Sequence, residues 1–232
     1  MFDSGFSNFD VNVVVGQEPI LRNNCSSLNP NNTAMLNLEH LVGIDFGSKL
    51  AGTTVICSFF KGRLHFDASK IREDADAFLL NKVGILKPDF VFIDAPLSLP
   101  GRYTGRNDCQ DYFFREADIE MGAMSPMFIG GLTSRAIKMK DNLEKRGVKV
   151  FETYPTYEAK LIGLSDQMYK RDDRHIESLA AQLGESTGLA IPQNTISDWH
   201  HFDALLAFVA GMRFLRGQHR AIGKEDEGLI YV

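Results

Sequence analysis

Leu41-Val42-Gly43-Ile44-Asp45-Phe46-Gly47-Ser48 is the stretch on which the reading of the fold turns. A short apolar run that closes on a carboxylate and then a glycine turn reads as a buried strand ending at an acid. Two further runs repeat the pattern: Phe90-Val91-Phe92-Ile93 ends at Asp94, and Val148-Lys149-Val150-Phe151 ends at Glu152. A fourth acid, Asp203, opens the strongly apolar helix that contains Ala204-Leu205-Leu206-Ala207-Phe208. Buried strands avoid carboxylates because an unpaired ionised group loses its hydration. Three strand ends and one helix start that carry acids therefore predict a shared cationic partner.

Outward from these runs the chain is regular. Thr53 to Phe60 and Arg63 to Asp67, separated by Lys61-Gly62, are expected to form hairpin strands beside the first. Asp74 to Ile85 has helical spacing, and Lys87-Pro88-Asp89 stops it before the fourth strand. Pro96 to Arg106 reads as a loop, and Asp111 to Glu120 and Thr133 to Arg146 as helices. Pro155 to Leu161, Arg174 to Leu183 and His201 to Leu215 follow as helices, with a short strand at Leu229 to Val232. Strands first in hairpins and then alternating with helices predict an α/β fold, a mixed sheet with helices on both faces. Residues 1–39, with Asn23-Asn24 and Asn29-Pro30-Asn31-Asn32, read as a polar extension, partly disordered, with a short strand near Asp10 to Val15. The folded domain is expected over residues 40–232.

A chain of 232 residues fits one domain of this kind and buries enough surface to fold without a disulfide or structural metal. The net charge of −5 lacks the overall basic signature of a tight nucleic-acid binder, which argues against DNA packaging. It leaves room for an enzyme that grips a few phosphates locally. Cys25, Cys57 and Cys109 are odd in number and form no CxxC pair, so a reducing compartment is expected. No window approaches the roughly 18 apolar residues of a membrane span, and Arg22 is the sole cation before Lys49. A cytoplasmic location with no membrane partner is the expectation.

In this topology the fourth strand returns parallel beside the first through a right-handed crossover. Neighbouring strands lie about 4.8 Å apart, so Asp45 and Asp94 would face each other. Two carboxylates at about 5 Å repel by roughly 3 kcal/mol at an effective dielectric near 20. Either one takes a proton or a hard divalent cation neutralises both. Two such ions suit phosphodiester hydrolysis, because together they stabilise the attacking and leaving oxygens. Lys49, Arg102 and Arg106 fall in loops beside the strand ends and are candidates to bind substrate phosphates. His200 and His201 could orient a carboxylate. Tyr103, Tyr112, Phe113 and Phe114 read as a lid packed on itself.

These motifs together resemble a family known as domain of unknown function 429, whose members are described as predicted ribonuclease H-like nucleases. The resemblance rests on Gly43-Ile44-Asp45-Phe46-Gly47-Ser48, Ile93-Asp94-Ala95-Pro96-Leu97-Ser98, Glu152-Thr153-Tyr154-Pro155 and His201-Phe202-Asp203-Ala204-Leu205. It spans residue 41 to the end of the sequence. It implies a ribonuclease H-like fold: a mixed five-stranded sheet of order 3-2-1-4-5 with strand 2 antiparallel. It also implies a metal-dependent nuclease with Mg²⁺ or Mn²⁺, two ions, held by Asp45, Asp94 and Asp203. Glu152 would ligate or position water as a fourth catalytic acid, and the partner would be nucleic acid. Ribonuclease H itself carries a glutamate on the helix after the third strand, and Glu73, Asp74 and Asp76 do not match it. Hybrid-cleaving specificity is therefore not implied. Two alternatives stay open: a non-catalytic protein using the same groove for binding, and an actin- or sugar-kinase-like phosphotransferase, whose phosphate loop also begins with a strand, an Asp and a glycine turn.

Overall fold

The computed structural model describes residues 37–164 and 168–232. Nearly all of the extension expected over residues 1–39, including the strand near Asp10 to Val15, lies outside the described residues. The elements are β1 (Leu41–Asp45), β2 (Val55–Phe60), β3 (Arg63–Ala68), α1 (Ala75–Leu86) and β4 (Phe90–Asp94). Then come α2 (Glu116–Met121), α3 (Gly130–Glu144), β5 (Lys149–Glu152), α4 (Pro155–Leu161), α5 (Ile176–Thr187), α6 (Trp199–Leu215), β6 (Ala221–Lys224) and β7 (Gly228–Tyr231).

All strands join one mixed sheet in the order β3-β2-β1-β4-β5-β7-β6. β2 is antiparallel to β1, while β4 and β5 run parallel to it. The expected five-stranded sheet is thus corrected to seven strands, because a C-terminal hairpin extends it beyond β5. β7 lies parallel to β5, with Ile230 opposite Glu152, and β6 pairs antiparallel to β7. The physical reason β6 escapes a reading of the sequence is its composition. Ala221-Ile222-Gly223-Lys224 buries only Ile222, so it presents no apolar run, and it takes its strand conformation from pairing with β7.

β1 is buried along its whole length because both of its faces are covered. Val42 and Ile44 point into one apolar layer with Val91, Ile93 and Val150, closed by Leu79 and Val83 of α1 and Ala136, Met139 and Leu143 of α3. Leu41 and Phe92 point into the other, against Phe202, Leu205, Phe208 and Val209 of α6 and Leu179 and Leu183 of α5. α6 is apolar all round, as a helix packed between a sheet and other helices must be, and every residue from Phe202 to Met212 is buried. Among the described residues no helix is long and apolar enough to cross a membrane.

Between β4 and α3 the chain leaves the sheet and forms a roof over its end. The helix expected from Asp111 begins only at Glu116, because the Asp111 carboxylate accepts from the amides of Phe113 and Phe114 and holds a turn there.

The position of α6 is set by Gly43. A β-carbon there would overlap the Phe208 amide nitrogen and the Ala204 carbonyl oxygen, so the helix backbone rests directly on the strand. Gly211 repeats the device one layer along, against the side chains of Leu41 and Phe92. Gly43→Ala is expected to destabilise the protein by about 3 kcal/mol or more, since backbone on both sides blocks relaxation. Denaturant unfolding measures it; a loss below about 1 kcal/mol would show that α6 is free to shift.

Candidate functional site

Asp45 and Asp94 are the last residues of adjacent parallel strands and are paired in register. Side chains alternate between faces along a strand, and in-register parallel neighbours share a face. Asp45 follows Leu41 and Gly43 by twos, and Asp94 follows Phe92, so both acids lie on the α6 face. Asp203 sits in the second turn of α6, whose close approach at Gly43 carries it to the strand ends. Carboxylate oxygens of Asp45, Asp94 and Asp203 all lie within 4.8 Å of one another.

Glu152 does not join them. Its register partner is Ile93, not Asp94, so its side chain projects from the opposite face, the side of Val150 and Ile93. There the Arg115 guanidinium holds it through two hydrogen bonds, Nη1 to Oε2 at 2.7 Å and Nη2 to Oε1 at 2.6 Å. Arg115 is fully buried and also binds Asp118 and the Ser98 hydroxyl. Burial opposes the Arg115 charge, but the Glu152 and Asp118 carboxylates outweigh it and keep the group protonated. Glu152 accepts in addition from the Leu97 amide at 2.8 Å. The fourth acid thus ties the roof to β5.

The three clustered acids have unequal surroundings. Asp203, 4% exposed, accepts a hydrogen bond from the Tyr169 hydroxyl and pairs with Lys170 at 2.6 Å. Burial nevertheless dominates and pushes its carboxyl up to about 6. Asp45 accepts from His200 Nδ1 at 2.7 Å, a bond that holds the imidazole above its usual range. No ion pair reaches Asp94 among the described residues. It keeps some contact with solvent, yet desolvation and the adjoining Asp203 and Asp45 charges push its carboxyl well above the ordinary range. Burial would lower Lys170, but the acids overcome that and hold it as an ammonium. One ammonium and one imidazole face three carboxyl groups, and Asp94 is the one without an ion-pair partner among the described residues.

A hard divalent cation fits this donor set. Across an octahedral Mg²⁺, with bonds of about 2.1 Å, opposite oxygens stand about 4.2 Å apart. Oxygens already within 4.8 Å need only small side-chain rotations to match.

The loop cations expected at the substrate are occupied elsewhere. Lys49 pairs with Asp74 at 3.1 Å, and Arg106 pairs with Asp108 and Asp226. Arg102 donates to the Tyr112 hydroxyl at 3.1 Å and lies over its ring. Asp74 caps α1, and Asp76 pairs with Arg135, so the acids near that helix are structural. Tyr103 packs edge-on against Tyr112, and Phe113 and Phe114 pack against Phe128. The cation beside the cluster, Lys170, comes from a segment whose sequence shows no motif, Tyr169-Lys170-Arg171. With Lys160 and Thr156 these residues line a cleft of about 380 Å³, and two of them, Tyr169 and Lys170, contact Asp203. The one signal available there was an aromatic followed by two cations, too common to single out.

No family model matches the chain, and no curated protein matches it in sequence.

The pH dependence follows from the raised carboxyls. In the folded protein Asp203 holds its proton up to about pH 6, whereas its ordinary value is 3.8. That contribution is fully present below about pH 4 and is lost as the pH rises through about 6, a change of roughly 3 kcal/mol. Chelator-treated protein should therefore melt at progressively lower temperature over this window, and Asp203→Asn should flatten the slope. Glu152→Gln and Asp94→Asn should separate the two roles. The first should cost on the order of 3 kcal/mol while keeping stabilisation by Mn²⁺, because it breaks a buried pair away from the cluster. The second should raise the metal-free melting temperature and abolish the Mn²⁺ effect. Thermal melts with and without Mn²⁺ read both, and a reversed pattern would move the metal to Glu152.

Proposed function

We propose that the protein is a divalent-metal-dependent nuclease with a ribonuclease H-like fold, hydrolysing phosphodiester bonds at Asp45, Asp94 and Asp203. The observation that carries this reading is the convergence of these three carboxylates, from two strand ends and one helix, within 4.8 Å. Five of the seven strands in the order β3-β2-β1-β4-β5, with β2 antiparallel, support the fold assignment. Parallel strands also present ligands outside their carboxyl ends, which is where the acids stand.

Mg²⁺ or Mn²⁺ bound here would supply positive charge to a phosphoryl oxygen and make water a better nucleophile near neutral pH. The protein's own residues set the stage for it. His200 fixes one Asp45 oxygen, and the Tyr169 hydroxyl fixes one Asp203 oxygen, so each acid is left with a defined orientation. Lys170 neutralises Asp203 in the absence of a bound cation and is exposed enough to turn toward substrate. Lys160, Lys170 and Arg171 line a cleft suited to the negative strand backbone, despite the acidic whole. These cations replace Lys49, Arg102 and Arg106 as the groups proposed to hold phosphates.

Asp45→Asn should reduce Mn²⁺-dependent cleavage of labelled DNA or RNA by at least about 100-fold with the melting temperature kept within a few degrees. Isothermal titration counts the Mn²⁺ ions bound. Cleavage undiminished in Asp45→Asn would remove the acid cluster from the chemistry. Mn²⁺ bound by wild type without cleavage of either nucleic acid would favour a binding protein.

A further inference from the structure

Lys170 stands between two sets of charges. On one side its ammonium pairs with Asp203 Oδ2 at 2.6 Å. On the other it lines the cleft with Thr156, Lys160, Tyr169 and Arg171, a wall that carries three cations and no acid. Both oxygens of Asp203 are engaged, because Oδ1 accepts from the Tyr169 hydroxyl. The two holders differ. Tyr169 is neutral, buried and packed edge-on against Trp199. The Lys170 side chain is 42% exposed and ends a flexible four-carbon stem. Its backbone has φ of +56° at the third position of a turn closed by the Arg171 amide and the Met168 carbonyl. Glycine or asparagine suits that position, so a lysine there carries strain that its surroundings hold in place. A divalent cation bonded to Asp203 Oδ2 at about 2.1 Å would stand within about 5 Å of this ammonium. Positive charges so close on one dehydrated carboxylate repel, so each tends to exclude the other.

We infer that Lys170 is a positioning residue that changes partners. It holds Asp203 while the acids carry no metal ion, and it turns to a strand phosphate in the cleft once they carry one. The assignment rests on the metal-dependent nuclease reading above and adds to it a coupling between metal and substrate. Displacing Lys170 weakens metal binding in the free protein. With a strand present, the freed ammonium joins Lys160 and Arg171 on the phosphate and offsets that loss. Linkage makes the effect reciprocal: metal tightens the strand by the factor by which the strand tightens metal. The ligand class follows from the donors, since lysine binds phosphate as a point charge and needs no fixed approach. A chain of net charge −5 with Lys170 turned to Asp203 has little hold on nucleic acid, so strand binding waits for the metal.

The test uses the full chain, with Ca²⁺ replacing Mg²⁺ to limit cleavage. Ionic strength is held constant, because salt alone weakens phosphate contacts. Isothermal titration reads Ca²⁺ affinity, and anisotropy of a fluorescein-labelled single strand reads strand affinity with and without Ca²⁺. In wild type Ca²⁺ should tighten strand binding about tenfold, a usual size for coupling between sites. Lys170→Met keeps the stem and removes the charge. It should bind Ca²⁺ about tenfold more tightly in the absence of strand, and Ca²⁺ should then tighten the strand by about threefold or less. Lys170→Gly, which suits the left-handed backbone, should behave alike and serves if Lys170→Met folds poorly. Lys160→Met removes an equal charge from the cleft. It should weaken strand binding yet leave Ca²⁺ affinity within about twofold of wild type. Equal Ca²⁺ affinity in wild type and Lys170→Met overturns the assignment, as does full coupling in that variant. So do a strand indifferent to Ca²⁺ in wild type, no binding of Ca²⁺ or strand, and an equal gain in Ca²⁺ affinity in Lys160→Met. Mn²⁺-dependent cleavage and its loss in Asp45→Asn are scored separately. Coupling through Lys170 without cleavage keeps the exchange and removes the nuclease reading, and cleavage without coupling does the reverse.

Discussion

The contact of α6 with β1 at Gly43 is the constraint on which the site depends. A helix normally stands off a sheet by the thickness of its side chains, and here backbone meets backbone. That closeness matters because carboxylate side chains are short. Asp203 reaches Asp45 and Asp94 only from a helix that lies directly on the strand that bears Asp45. Apolar burial supplies the force: Phe202, Leu205, Phe208 and Val209 close one layer of the core and press the helix down. Glycine removes the obstacle. Packing and charge placement are thus the same feature viewed twice.

That packing works against the charges it gathers. Three carboxylates held together and largely dehydrated repel one another, and the folded protein answers with partial measures. Lys170 and Tyr169 attend to Asp203, His200 attends to Asp45, and two carboxyls are driven toward protonation. A structural role alone would favour replacing such a cluster with apolar side chains, since burying incompletely paired charge is unfavourable. The three acids could instead hold a metal ion.

The roof has a different logic. Arg115 joins Asp118 on the roof to Glu152 at the end of β5, and Glu227 accepts from the amides of Gly101 and Glu116. Arg115, Asp118 and Glu152 are all buried and bonded to one another, which rigidifies the segment between β4 and α3. A rigid roof keeps a small cavity open beside the acids, whereas a mobile loop would collapse into it. Gly223 and Gly228, with φ of +106° and +119°, let the terminal hairpin turn in tightly against Ala117 and Ser98 of the same region.

The strands Leu41–Asp45 and Phe90–Asp94, the apolar helix bearing Asp203 and the α/β class were legible in the residues alone, because hydrophobic period and turn residues are local signals. Adjacency of the first and fourth strands was also legible, since a parallel crossover leaves few choices. Register was not. Glu152 ends an apolar run just as Asp94 does, yet it pairs with Ile93, and a one-residue offset sends its carboxylate to the other face and into Arg115. Nor could local pattern reveal that Lys170 meets Asp203, that Lys49 and Arg106 are paired elsewhere, or that the strand expected at the end of the chain pairs with β6 and joins the sheet beside β5. Those outcomes depend on which distant segments come together. Side-chain period is written along the chain, but the residue that stands opposite is chosen only when the tertiary structure closes.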